Sequence, residues 1–238
     1  PAGIEGSVWC EAHIGGGHGF VEYVRVVDDE ATLLVVAEKG QSTKFEAWRP
    51  ILEDENIDIG VVTHGQGLNW LQVSLTGKEA HTGSTPMPKR VNAGLGMARI
   101  TQLVDEIAWS HAPLAVGAVG HCDVYPNSRN IIPGKVVFTV DFRHPKQEVI
   151  DDMEARLRAG AAEICKEIGL EMDIEQAGKF DPVEFDDGCV GAIRRAAQRL
   201  GYSHRDIVSG AGHDACWVNR VAPTAMIMCP CVDGLSHN

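Results

Sequence analysis

Between Leu68 and about Gln176 the hydrophobic spacing switches repeatedly between a period of two and a period near 3.6, and the order of those switches leaves few folds open. Leu71, Val73 and Leu75 alternate with Gln72, Ser74 and Thr76, which predicts a half-buried strand. Pro86 and Pro88 predict the opening of a helix that runs to about Ser110, with Val91, Leu95 and Ala98 on one side and Leu103, Val104 and Ile107 extending its apolar surface. Leu114 to Val124 and Lys135 to Phe142 read as strands. In the second, Phe138, Val140 and Phe142 share one face while Thr139, Asp141 and Arg143 share the other. Ile150, Met153, Leu157, Ala161, Ile164 and Ile168 keep helical spacing up to Gly169, and Glu171 to Glu175 form a last strand. The order βαββαβ is the ferredoxin-like arrangement, a four-stranded antiparallel sheet with two helices on one face. Its other face or an edge strand is left to pair with a second copy.

The flanks read differently. Phe20 to Val27 and Ala31 to Val36 predict two strands joined through Asp28-Asp29-Glu30, between turn-rich stretches at Gly15-Gly16-Gly17 and Glu38 to Lys44. After Phe180, Cys189 to Leu200 reads as a helix, Ile207-Val208 as a short strand and Ala225 to Cys229 as a buried strand. These flanks look like parts of one α/β domain interrupted by the ferredoxin-like insert. The divisions expected are 1–67, 68–178 and 179–238.

The 238 residues carry a formal charge of -12 and no basic stripe, which argues against nucleic acid as a partner. No apolar run has the length of a membrane span and no signal peptide opens the sequence. Seven cysteines, an odd number without repeated spacing, fit reduced thiols and a cytoplasmic location better than a disulfide framework.

Candidate chemistry sits in short segments rich in Gly and Pro, where backbone groups approach a ligand closely. These are Gly77-Lys78-Glu79-Ala80-His81-Thr82-Gly83-Ser84-Thr85-Pro86-Met87, Asn127-Ser128-Arg129-Asn130-Ile131-Ile132-Pro133-Gly134, Ser209-Gly210-Ala211-Gly212-His213-Asp214-Ala215 and Gly234-Leu235-Ser236-His237-Asn238. An imidazole at His81 could donate to a developing oxyanion, or simply cap its loop. Arg143 suits bidentate capture of a carboxylate, or a structural pair with Asp141 or Asp151. Asn130 could orient a substrate amide or hold a turn. The loop at Ala211 and Gly212 offers backbone N–H groups to an anion, or is a tight turn with His213 bonded to Asp214 or nearby backbone. His237 has the chemistry of a metal ligand.

Together these motifs resemble the hydantoinase/carbamoylase branch of the M20 metallopeptidase-like family, and the resemblance runs from Pro50 to Asn238. It implies an α/β fold of the phosphorylase/hydrolase type, here a partial catalytic domain, with an inserted ferredoxin-like α+β lid and dimerisation domain. It also implies a homodimer that hydrolyses the linear C–N bond of N-carbamoyl amino acids, N-carbamoyl-β-alanine, allantoate or related ureido acids. Two divalent ions (zinc, manganese, nickel or cobalt) would share a bridging water, with a glutamate as general base. By motif position His81 corresponds to the lid histidine that stabilises the oxyanion. Asn130 and Arg143 would hold the substrate carboxylate, helped by Ala211 and Gly212. His237 matches a metal-binding histidine.

The sequence also departs from that pattern. No Glu-Glu pair occurs to supply base and ligand, and only 49 residues precede Pro50. The stretch Glu-x-His-Ile-Glu-Gln-Gly-Pro has two broken echoes. Glu11-Ala12-His13-Ile14 keeps the histidine, which makes His13 a second metal candidate, alone or with Glu11, His18 and Glu22. Phe45-Glu46-Ala47-Trp48-Arg49-Pro50 has Trp48 in its place. Two cations need several anionic ligands, so the chain alone is expected to be a weak or inactive amidohydrolase. The alternative expectation is a non-catalytic dimerisation or carboxylate-binding module.

Overall fold

The computed structural model describes the backbone of residues 7–12, 20–28 and 31–39, and residues 52 and 55–230 with their side chains. In chain order the strands β1 (Ser7–Ala12), β2 (Phe20–Asp28) and β3 (Ala31–Lys39) come first, followed by β4 (Ile59–Gly65) and β5 (Gly67–Thr76). The two-residue β6 (Ala80–His81) and a 3-10 turn (Met87–Lys89) lead into α1 (Ala93–Ser110). Then come β7 (Val116–Tyr125), the two-residue β8 (Ile131–Ile132), β9 (Lys135–His144), α2 (Gln147–Ile168) and β10 (Glu171–Phe180). The last stretch holds β11 (Val183–Glu184), α3 (Asp187–Leu200), β12 (His204–Ser209), α4 (Asp214–Val218) and β13 (Ala225–Met228).

Two units result, one from Gly67 to Pro182 and the other from the flanks on either side. The boundary lies at Pro182 rather than 178 because β10 continues to Phe180, which pairs with Leu68 beyond a bulge at Gln176/Gly178.

In the inserted unit the sheet order is β10-β5-β9-β7, antiparallel throughout, with α1 and α2 completing the βαββαβ order. Period-two alternation places Val136, Phe138, Val140 and Phe142 on the buried face of β9, all fully enclosed with Leu71, Val73 and Leu75 of β5. Ile100, Val104 and Ile107 of α1 and Met153, Leu157 and Ala161 of α2 fill the same core. Each such large side chain contributes about 1.5–3 kcal/mol by leaving water. Gly169 ends α2 at φ 84°, and its N–H donates to the Cys165 carbonyl.

Two features differ from the sequence reading. The helix expected from Pro86 starts at Ala93, with the Asn92 side chain capping it by accepting from the Gly94 and Leu95 amides. Arg90 is extended, and the Lys78 N–H donates to the Val91 carbonyl, so this segment is stitched to the loop after β5 before any helix begins. The second is Asn69, fully buried on the apolar face of β5. Its Nδ2 donates to Glu154 Oε2 of α2 at 2.5 Å, and its Oδ1 accepts from Gln176 Nε2 of β10 at 3.0 Å. A buried amide is tolerated because both ends are satisfied.

In the flanking unit β4 pairs in parallel with β12 and antiparallel with β13 and β11. The strand β13 also pairs in parallel with β3, which continues through β2 to β1. Helix α3 is capped by Asp186, whose carboxylate accepts from the Cys189 amide and is held below its ordinary range by that bond. Gly15 to Gly17 and residues 40–44 lie outside the described residues, whereas Glu38 and Lys39 belong to β3.

Candidate functional site

The segment carrying His81 and the segment carrying Asn130 come together. Ala80 and His81 of β6 pair with Ile132 and Ile131 of β8, and the Thr82 N–H donates to the Asn130 carbonyl at 3.0 Å. Glycine makes this approach possible. The Gly77 N–H donates to the Gly134 carbonyl at 2.7 Å, and a Cβ on Gly77 would run into the Val91 carbonyl oxygen. Across the turn before β8, Asn127 takes φ 54°, a left-handed conformation that Asn adopts more readily than most residues.

The orientation of His81 is fixed by backbone. Its Nδ1 accepts from the Gly83 N–H at 3.0 Å and the Ser84 N–H at 3.2 Å. An imidazole nitrogen that accepts carries no proton, so in the neutral ring the hydrogen resides on Nε2, on the far side from the turn. The residue is exposed. Such a ring presents an N–H donor outward, as an oxyanion partner must. Beside it, Asn130 Oδ1 accepts from the Ser128 hydroxyl at 2.8 Å, leaving the NH2 end as the donor of that amide.

Arg143 lies elsewhere. It stands at the far end of β9, eight residues from Lys135, and at about 3.3 Å per residue that is about 26 Å along the strand. The β6–β8 corner adjoins the Lys135 end through Gly134, so within one copy His81 and Asn130 do not share a locus with Arg143. The length of β9 keeps the Asn130 and Arg143 of one chain apart. Of the two structural partners left open for Arg143, Asp141 is the one found: Nη2 donates to Oδ2 at 2.7 Å and Nε lies 3.1 Å from both oxygens. The pair sits on the sheet face away from the helices, flanked in register by Leu68 and Trp70 of β5 and by Val116 and Ala118 of β7.

Ala211 and Gly212 belong to the flanking unit, in the loop between β12 and α4. Ser209 Oγ, fully buried, donates to the Ala211 carbonyl at 3.1 Å and lies 2.8 Å from His213 Nε2. His213 is thus turned inward at 7% exposure, with its Nε2 bonded to the Ser209 side chain. Nothing lies within 4 Å of where a Cβ on Gly212 would stand, so this position is open. With five residues, α4 adds little axial field, and any anion contact here rests on the loop's own amides.

Among the described residues no three His, Cys, Asp or Glu side chains come together as a metal centre. His13 and His237, the metal candidates, lie outside the described residues, as does His18; of Glu11 and Glu22 only the backbone is described. The described residues therefore do not supply the donor set of a two-metal site. Burial pushes the Cys165 thiol up, and burial with the adjacent Asp186 pushes Cys189 up to about 11, so neither is an activated thiol. No described helix is long and apolar enough to cross a membrane.

The profile of Peptidase family M20/M25/M40 matches residues 10–238, and the chain belongs to that family. Over 189 residues it is 62% identical to an N-carbamoyl-L-amino-acid amidohydrolase of Rhizobium meliloti, covering 79% of this chain and 45% of that protein. It is 38% identical to an N-carbamoyl-L-amino-acid amidohydrolase of Paenarthrobacter aurescens, covering 79% of this chain and 46% of that protein. The crystal structure of an amidase of the hydantoinase/carbamoylase family from Burkholderia multivorans matches with a TM-score of 0.79 and 53% identity, covering 86% of this chain and 48% of that one. Within the family, this chain falls in the hydantoinase/carbamoylase branch. It spans about half the length of these relatives. Metal dependence comes with M20 membership.

Proposed function

We propose that the protein is an amidohydrolase of the N-carbamoyl-L-amino-acid type, cleaving the linear C–N bond of a ureido acid. The observation that carries this reading is His81, whose Nδ1 is occupied by two backbone N–H groups so that Nε2–H is the end presented outward. Residue roles follow from chemistry. The His81 N–H donates to the oxygen of the ureido carbonyl as it gains negative charge. A donor of this kind contributes about 3–4 kcal/mol to the transition state. Asn130 donates from its amide to the substrate, Arg143 pairs with its carboxylate, and the Gly212 amide, joined by that of Ala211 when it leaves Ser209 Oγ, adds a further anion contact. A bound divalent ion supplies Lewis-acid polarisation and an activated water in chemistry of this kind.

Because β9 separates Arg143 from His81 and Asn130, the reading includes a homodimer in which one copy's Arg143 works with another copy's His81 and Asn130. The inserted unit would then be the lid and dimerisation domain, and the flanking unit part of the catalytic domain. The 238 residues contain no adjacent pair of glutamates for base and ligand, so slow turnover is expected from this chain alone.

The test is ammonia release from N-carbamoyl-L-methionine by the manganese- or zinc-supplemented chain, with binding followed by calorimetry in parallel. Release above the metal-only blank that disappears in His81→Ala supports the reading. A chain that neither binds the compound nor releases ammonia contradicts it. A second reading is a carboxylate-binding dimer without chemistry, resting on the Arg143 guanidinium and the intact βαββαβ unit that carries it. It is distinguished by binding that Arg143→Ala weakens while no ammonia appears.

A further inference from the structure

The loop that holds His81 is itself held by one side chain. Arg90 Nε donates to the Thr85 carbonyl at 3.0 Å, and its Nη2 donates to the Thr82 carbonyl at 2.7 Å. These two carbonyls bracket Gly83 and Ser84, the residues whose amides converge on His81 Nδ1. The turn is closed at its base by the Thr85 N–H, which donates to the His81 carbonyl at 3.2 Å. Gly83 packs against the imidazole so closely that a Cβ there would stand 3.3 Å from His81 Cε1. The extended backbone at Arg90, with its N–H donating to the Met87 carbonyl, points the residue back toward the turn instead of into α1.

We propose that Arg90 is a positioning residue: by clamping the Thr82 and Thr85 carbonyls it keeps the Gly83 and Ser84 amides on Nδ1 and so holds neutral His81 in the Nε2–H tautomer. The physical reason is the geometry of the guanidinium. It is rigid and planar, and presents two donors at a fixed separation, which matches two carbonyls of one turn; a lysine ammonium reaches them only as a point charge on a flexible stem. Without the clamp, a short exposed turn gains conformational freedom comparable in free energy to the amide–imidazole bonds that oppose it. Nδ1 then loses its donors, and the proton distributes over both ring nitrogens. This inference rests on the reading of His81 as the oxyanion donor for its meaning in catalysis, but not for its test.

The test uses the full chain labelled with nitrogen-15 in histidine. Long-range proton–nitrogen correlation spectra, recorded where the imidazole is neutral, report which ring nitrogen carries hydrogen, and His81→Asn assigns the signal. The expected result is a single Nε2–H tautomer for His81 in the unmodified chain. Arg90→Ala should give averaged tautomer shifts and exchange of the Gly83 and Ser84 amides about tenfold faster, with α1 amides unchanged. Arg90→Lys, which keeps charge and bulk, should restore the tautomer only in part, and it serves as the second variant if Arg90→Ala does not fold. An Nδ1–H tautomer in the unmodified chain overturns the proposal. So does either variant that keeps both the tautomer and the slow Gly83 and Ser84 exchange. Failure of the amidohydrolase reading would appear instead as absent ureido-acid binding with the tautomer result intact.

Discussion

Two histidines in Gly-rich loops meet opposite fates in this molecule. His81, in the inserted unit, is exposed and has its inner nitrogen occupied by backbone amides. His213, in the flanking unit, is buried and spends its Nε2 on the fully buried Ser209 hydroxyl. The first arrangement leaves a directed N–H for a ligand; the second uses the imidazole to shape the loop that displays Ala211 and Gly212. Residue type and glycine-rich surroundings are alike at both positions. What differs is which nitrogen the fold consumes, and that decides whether a histidine can act on a substrate or only on its own loop.

The comparison breaks most visibly at His81. His81→Ala should lower ammonia release from N-carbamoyl-L-methionine by about 10²–10³-fold, the cost of one oxyanion donor, while leaving the thermal midpoint unchanged. A large drop in the midpoint would make the residue structural after all. Ser209→Ala should do the reverse, lowering stability in urea by about 1–3 kcal/mol as the buried Ser209–His213 contact is lost. An unchanged unfolding midpoint would show that contact to be dispensable.

Acid sharpens the contrast between the units. Burial holds His144 of the inserted unit below its ordinary value of 6.5, with His111 and the Lys146 ammonium acting in the same direction and Glu148 against it. Its folded pKa lies below its unfolded one, so the unfolded state takes up the proton first. Stability is therefore full above about pH 7 and declines as pH falls through 6.5 towards the folded pKa. In the flanking unit the Arg194 guanidinium holds Asp206 below the carboxylate range, and the cap to Cys189 does the same for Asp186. Their contribution is complete above about pH 4 and is lost only as pH falls through the folded values. Hydrogen exchange followed by mass spectrometry should show β9 and α2 loosening at a higher pH than α3 and β12, and His144→Gln should remove that early step. The smallest effect belongs to Asp206→Asn at neutral pH. The exposed pair with Arg194 is worth less than about 1 kcal/mol, and a larger loss in urea unfolding would require Asp206 to support more than this pair.

Much of the inserted unit was legible because its core obeys local periods. Alternation along β9 and the spacing of α2 named the buried residues, and Gly169 named the stop. Pro86 and Pro88 misled, since proline is as suitable for an extended or 3-10 segment as for a first helical turn; the stitching of Val91 to Lys78 settled the matter, and that contact is not local. Asn69 was missed because its satisfaction depends on Glu154 and Gln176, far along the chain. For the candidate site, the motifs identified the residues, and the pairing of β6 with β8 joins two of them. The separation of Arg143 from Asn130 was hidden, although the strand between them had been read: thirteen residues apart reveals nothing until the strand is known to run straight. His13 and His237 stand outside what the structure describes.

The most direct test is a titration of the nitrogen-15-labelled chain with N-carbamoyl-L-methionine, watching the side-chain signals of His81, Asn130 and Arg143. Saturable shifts of all three with one common affinity are the expected result. Shifts confined to other residues, or none at concentrations that saturate a hydantoinase/carbamoylase relative, would contradict it.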